Sequence, residues 1–62
     1  MKELLNEPVK VVYSDSGKDK VVRGVVTDID RYTITVRAHR TGRIIVIGKK
    51  AITTVMLQDR KD

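Results

Sequence analysis

The run Gly24-Val25-Val26-Thr27-Asp28-Ile29-Asp30-Arg31-Tyr32-Thr33-Ile34-Thr35-Val36 sets the architecture of this chain. From Tyr32 the pattern has period two. Tyr32, Ile34 and Val36 point one way, and Thr33, Thr35 and Arg37 point the other, which is the signature of a half-buried β-strand. Upstream, Lys20 to Asp28 reads as a longer strand with Gly24 at its middle. A glycine weakens a plain strand, so Gly24 marks a bend where the sheet curls. Asp28-Ile29-Asp30-Arg31 is the short turn between the two. The run therefore predicts two antiparallel strands, the first of them bent.

Working outward gives the remaining elements. Ser14-Asp15-Ser16-Gly17-Lys18-Asp19 is a turn cluster with Gly17 as its positive-φ residue, and Val9 to Tyr13 before it is a strand. Met1 to Asn6 is expected to make one helical turn, docked by Leu4 and Leu5 and ended at Pro8. After Arg37, His39-Arg40-Thr41-Gly42 reads as a hairpin loop. Arg43 to Gly48 reads as a fourth strand with apolar residues on both faces, expected in the middle of a barrel or against a partner. Lys49-Lys50 is a corner, Ala51 to Met56 a fifth strand, and residues 58–62 a polar tail expected to fray. The fold class is all-β: a small, strongly bent five-stranded barrel of the SH3-like or OB-like sort with a short N-terminal helical turn. Composition agrees, since ten Val, six Ile and six Thr make 22 of 62 residues β-branched.

Size adds a constraint. A single domain covering 1–62 buries only about 60% of its unfolded surface. Small folds compensate with disulfides, a metal or oligomerisation. The chain has no cysteine and one histidine, His39, so no disulfide, metal site or cofactor is expected. Oligomerisation is left. The fourth and fifth strands carry little charge and make poor open edges, so pairing with a neighbouring copy is expected, closing into a ring where the rotation permits. The alternative is a monomer whose barrel closes on itself.

Charge is distributed unevenly. Residues 1–30 carry five basic and six acidic side chains, and residues 31–62 carry eight basic and two acidic. From Arg31 to Lys50 there are six cations and no acid. Such a stretch presents a positive surface suited to a polyanion, most often nucleic acid. No apolar run approaches a membrane span and no signal-peptide pattern is present, so the expectation is a soluble cytoplasmic protein without membrane contact.

Three segments resemble the Sm-like (LSm) family. Gly24 to Val36 is similar to its first signature: a strand glycine, an aspartate, an aromatic two residues later and a hydrophobic strand. Gly48-Lys49-Lys50-Ala51-Ile52-Thr53-Thr54-Val55 resembles the second signature in its bacterial, Hfq-type form, Tyr-Lys-His-Ala-Ile-Ser-Thr-Val. Val11-Val12-Tyr13-Ser14-Asp15-Ser16-Gly17 is similar to the first strand and turn. The resemblance covers about residues 9–57, and Lys-Ala-Ile-Thr-Thr-Val is its most specific part. It implies an SH3-like/Sm barrel assembled as a homo-oligomeric ring, six subunits favoured, that binds single-stranded RNA and assists RNA pairing or turnover as an RNA chaperone. Carried over, Tyr32 is the aromatic on which a base stacks at the pore face. Lys49 hydrogen-bonds that base, and Lys50 stands at the pore position held by histidine. Tyr13, Ser16 and Gly17 fall on the opposite face, where adenine-rich strands bind, and Asp30 is structural. The sequence departs from the family in Gly48, where a tyrosine packs between subunits, in Lys50, and in a longer Gly17–Gly24 loop.

The residues make the same case without the name. Single strands are held by a cationic path plus aromatic platforms, each stacked base giving about 1–3 kcal/mol. One chain offers few such groups, and a ring repeats them around an axis. Lysines 49 and 50 gathered at a pore repel one another until an anion neutralises them. Arg37, Arg40 and Arg43, with His39, form a second basic cluster at the hairpin tip, fit for RNA backbone at a rim. No enzyme is expected. Asp28 and Asp30 serve turn formation, and Gly17-Lys18 lacks the spacing of a phosphate loop. The rival readings are an SH3-like protein-interaction or assembly subunit and an OB-like single-strand DNA binder.

Overall fold

A computed structural model describes residues 2–58. Five strands form one antiparallel sheet: β1 (Pro8–Asp15), β2 (Lys18–Ile29), β3 (Thr33–Ala38), β4 (Ile44–Gly48) and β5 (Ile52–Leu57). Two short 3-10 turns, Lys2–Leu4 and Lys49–Ala51, accompany them, and no α-helix occurs among the described residues. The spatial order is β4-β3-β2-β1-β5.

β2 organises the sheet because it serves two partners in turn. Lys18 to Val25 pair with β1, and Gly24 to Ile29 pair with β3. The two ladders overlap at Gly24 and Val25, where the strand must turn. There a Cβ on residue 24 would stand 2.0 Å from the Arg37 carbonyl oxygen and 3.0 Å from the Ala38 Cα. Only a glycine lets β3 approach this closely. A second irregularity, a bulge at Thr27 between Val26 and Asp28, re-aims the end of β2 toward the Asp30 turn. The N-terminal segment is laced to the bend: the Asn6 amide donates to the Val26 carbonyl (2.7 Å), and the Val26 amide donates to the Glu7 carbonyl (3.2 Å).

The core follows from the alternation. Val9 and Val11 of β1, Val22 and Val26 of β2, Ile34 and Val36 of β3 and Ile47 of β4 are buried. All seven are β-branched. They are stiff side chains that fill a thin, curved interior without the aromatic bulk the chain lacks.

Several expectations need correction. The Ser14–Asp19 cluster is not one long turn. β1 and β2 pair up to Asp15 opposite Lys18, and a two-residue turn, Ser16-Gly17, joins them. Both turn residues have positive φ (53° and 78°), the conformation that matches the twist of a tight hairpin. From Lys18 to Gly24 the expected loop is accordingly strand. The fourth strand is not buried on both sides. β4 is a sheet edge, with Ile44 and Val46 59% and 62% exposed. β5 is the other edge, so the sheet is not closed. The N-terminal helical turn is a 3-10 turn, and Gln58 is held, its amide donating to the Pro8 carbonyl (2.9 Å). The rest of the expected tail, 59–62, lies outside the described residues.

At the β1–β2 hairpin, the Lys20 ammonium lies 2.9 Å from the Asp15 carboxylate. The hydrogen bond and charge of Lys20 hold the Asp15 carboxyl below its usual range, and Lys20 is raised in return. A depressed folded-state value means that this contribution is present above the ordinary carboxylate range. It is lost as pH falls through the Asp15 titration. Acid titration should therefore show Asp15→Asn lacking part of the wild-type loss of stability below about pH 4, with the difference erased at high salt. Gly24→Ala should destabilise by about 3 kcal/mol, the upper end of overpacking costs, seen as a lower urea midpoint at unchanged slope. Gly48→Ala meets open space and should stay within about 0.5 kcal/mol of wild type.

Candidate nucleic-acid interface

The β3–β4 hairpin carries a basic group at each end. β3 spans six residues, so the ends lie about 20 Å apart. The first end is built by the Asp30 turn and the Lys49 turn. The Asp30 amide donates to the Thr33 carbonyl (2.8 Å), and the Asp30 carboxylate accepts from the Arg31 amide (2.8 Å). This local closure orients Tyr32 away from the core. Opposite it, Thr33 pairs with Gly48, and the Lys49 amide donates to the Tyr32 carbonyl (2.8 Å). Chain-distant residues 32 and 49 are thereby adjoining. The Tyr32 ring is 70% exposed, and the Arg31 guanidinium carbon sits 6.0 Å from its centroid. That is within reach of a cation–π contact. Lys49 is half-buried and Lys50 exposed.

This end therefore joins an uncovered aromatic ring to three cations. The backbone bond sets Tyr32 beside Lys49, and Lys50 follows next in the chain. Arg31 was missed, and only the turn geometry at Asp30 reveals it. A flat ring beside guanidinium and ammonium donors can stack a base and hold its phosphate.

The second end is the hairpin tip. The Ala38 amide donates to the Arg43 carbonyl (2.8 Å), and Gly42, at φ 70°, turns the chain. Arg37, Arg40 and Arg43 are all exposed around it. Tyr13, Ser16 and Gly17 are not brought together. Ser16 and Gly17 form the exposed β1–β2 turn. Tyr13 is half-buried, faces inward, and packs against the core. What adjoins Tyr13 is a different set. A groove of about 630 Å³ is lined by Tyr13, Val21, Val22, Arg23, Ala38, His39, Arg40 and Ile45. The His39 amide donates to the Arg23 carbonyl (2.9 Å) and so ties the hairpin tip to β2. The sequence carried no signal for this meeting, because it depends on the bend at Gly24.

Comparisons of the chain with protein-family models, with curated proteins and with solved structures returned no match. No helix among the described residues is long and apolar enough to cross a membrane.

Exposure separates the two tyrosines energetically. Tyr32→Ala should leave stability within about 0.5 kcal/mol, whereas Tyr13→Ala, which removes a ring packed on the core, should cost about 2 kcal/mol in denaturant unfolding.

Proposed function

We propose that this chain is a non-enzymatic RNA-binding subunit of the Sm-like kind, holding single-stranded RNA at the end of the sheet where Tyr32 and Lys49 meet. The observation that carries the reading is the Lys49 amide on the Tyr32 carbonyl. It puts the Lys49–Lys50 corner next to Tyr32, whose exposed ring has the Arg31 guanidinium 6.0 Å away. Ring and cations are the two components that single-strand binding requires. In this reading the bent sheet is an Sm barrel. The free β4 edge of one copy adds to the free β5 edge of the next, head to tail, covering Ile44 and Val46 and repeating the Tyr32–Lys49 end around an axis. Uridine-rich strands are the favoured ligand at that end, and assistance to RNA pairing or turnover is the role.

A second reading has one observation behind it. The exposed apolar edge formed by Ile44 and Val46 also suits a protein-interaction module that adds a partner strand at β4.

Two measurements test the proposal. Sedimentation at micromolar concentration should give a mass several-fold above 7.0 kDa, and a monomer overturns the ring. Anisotropy with labelled oligo-U should show Tyr32→Ala and Lys49→Ala each weakening binding about tenfold, within the worth of one stacked base. Unchanged affinity in both variants removes the assignment of this end.

A further inference from the structure

The outer face of the sheet carries a row of basic side chains that the Tyr32–Lys49 end does not use. Lys10 of β1 lies directly opposite Arg23 of β2 in the antiparallel register. On the other side of Lys10 stands Met56 of β5. Beyond Arg23 the row continues to His39, whose amide bonds the Arg23 carbonyl. Residues 9, 11, 22 and 26 point inward to the core, so Lys10 and Arg23 point outward. Successive strands are about 4.8 Å apart, which makes the Lys10–Arg23–His39 row roughly 10 Å long.

Such a row is costly. Like charges directly opposite on neighbouring strands destabilise a sheet. Among the described residues the positions flanking the pair on that face are Val12, Val21 and Val25, Asp19 stands on the same face only four residues along β2 from Arg23, and the ion pair at the hairpin engages Lys20 instead. The groups at hand are an ammonium, a guanidinium fork and an imidazole. The first two are donors without acceptors, suited to oxyanions. The residues flanking Lys10 and Arg23 are aliphatic, and Tyr13, which lines one groove with Arg23 and His39, packs its ring against the core.

We propose that this face binds the phosphodiester backbone of a nucleic acid at Lys10, Arg23 and His39, without reading its bases. The proposal takes its ligand class from the nucleic-acid reading above but uses none of the residues of the Tyr32–Lys49 end. An extended polyanion fits better than a lone phosphate, because the row runs on to Arg37, two residues from His39 and opposite Val25.

The test uses the full chain and a fluorescein-labelled abasic deoxyribose-phosphate oligomer, beside oligo-U and oligo-A. Wild type should bind the abasic probe. The double variant Lys10→Gln/Arg23→Gln should weaken all three probes by the same factor. Its slope of log K against log salt should be shallower by about 0.7 for each phosphate it no longer neutralises. Lys18→Ala, at the exposed β1–β2 hairpin and in neither site, should leave abasic binding unchanged. Thermal unfolding gives an independent sign: the double variant should melt above wild type without ligand, since it removes the like-charge pair. The abasic probe should raise the melting temperature of wild type only. Absence of abasic binding, or equal affinity and slope in wild type and the double variant, overturns the proposal. If oligo-U binding then still falls in Lys49→Ala, the Tyr32–Lys49 reading stands alone. If abasic binding behaves as expected while Tyr32→Ala and Lys49→Ala bind oligo-U like wild type, the outer face is the nucleic-acid site.

Discussion

The close approach of the Arg37 carbonyl to the Gly24 Cα is the constraint on which the rest of the structure depends. It allows one strand to hydrogen-bond to β1 over its first half and to β3 over its second. Without that bend a 12-residue strand would form a flat sheet with one long face in water. With it, seven β-branched side chains from four strands meet in one interior. The same bend carries the hairpin tip back toward β1, which is why Arg23, His39 and Tyr13 share a groove despite their distance in sequence.

The two edges are the other consequence. An open sheet leaves β4 and β5 with unpaired backbone donors and acceptors, and β4 presents Ile44 and Val46 beside them. Natural sheets usually blunt such edges with charge, proline or bulges. Neither Ile44–Gly48 nor Ile52–Leu57 contains a charged residue or a proline. A small chain without disulfides gains from covering them, and the charge asymmetry then falls on the surfaces that remain free.

The sequence made some of this legible. Period two located β3 to within one residue, because Ile34 and Val36 are buried, but Tyr32, expected on their face, lies outside the strand and is 70% exposed. Gly24 announced the bend, because nothing else tolerates that contact. The Lys49–Lys50 corner was visible as a break between two apolar runs. Other features were hidden. Ser16 adopts positive φ although serine rarely does, so the hairpin turn looked longer than two residues. The exposure of Ile44 and Val46 depends on strand order, which composition does not encode. Arg31 beside Tyr32 depends on the Asp30 turn. Lys10 opposite Arg23 depends on register, a property of the pair rather than of either strand.

Strand order also fixes a sequence of events. β1 through β4 pair with their neighbours in the chain, as successive hairpins. β5 alone pairs out of order, returning to β1 across 44 residues between Val11 and Val55. Local hairpins close at small entropic cost, and the β1–β5 ladder closes the longest loop. Contact separation therefore favours a meander of four strands before β5 docks. Until it docks, β1 offers a bare edge of its own, and a β5 strand from another copy fits that edge equally well. The step that completes one chain is thus the step at which the β1 edge is open to strand exchange with another copy.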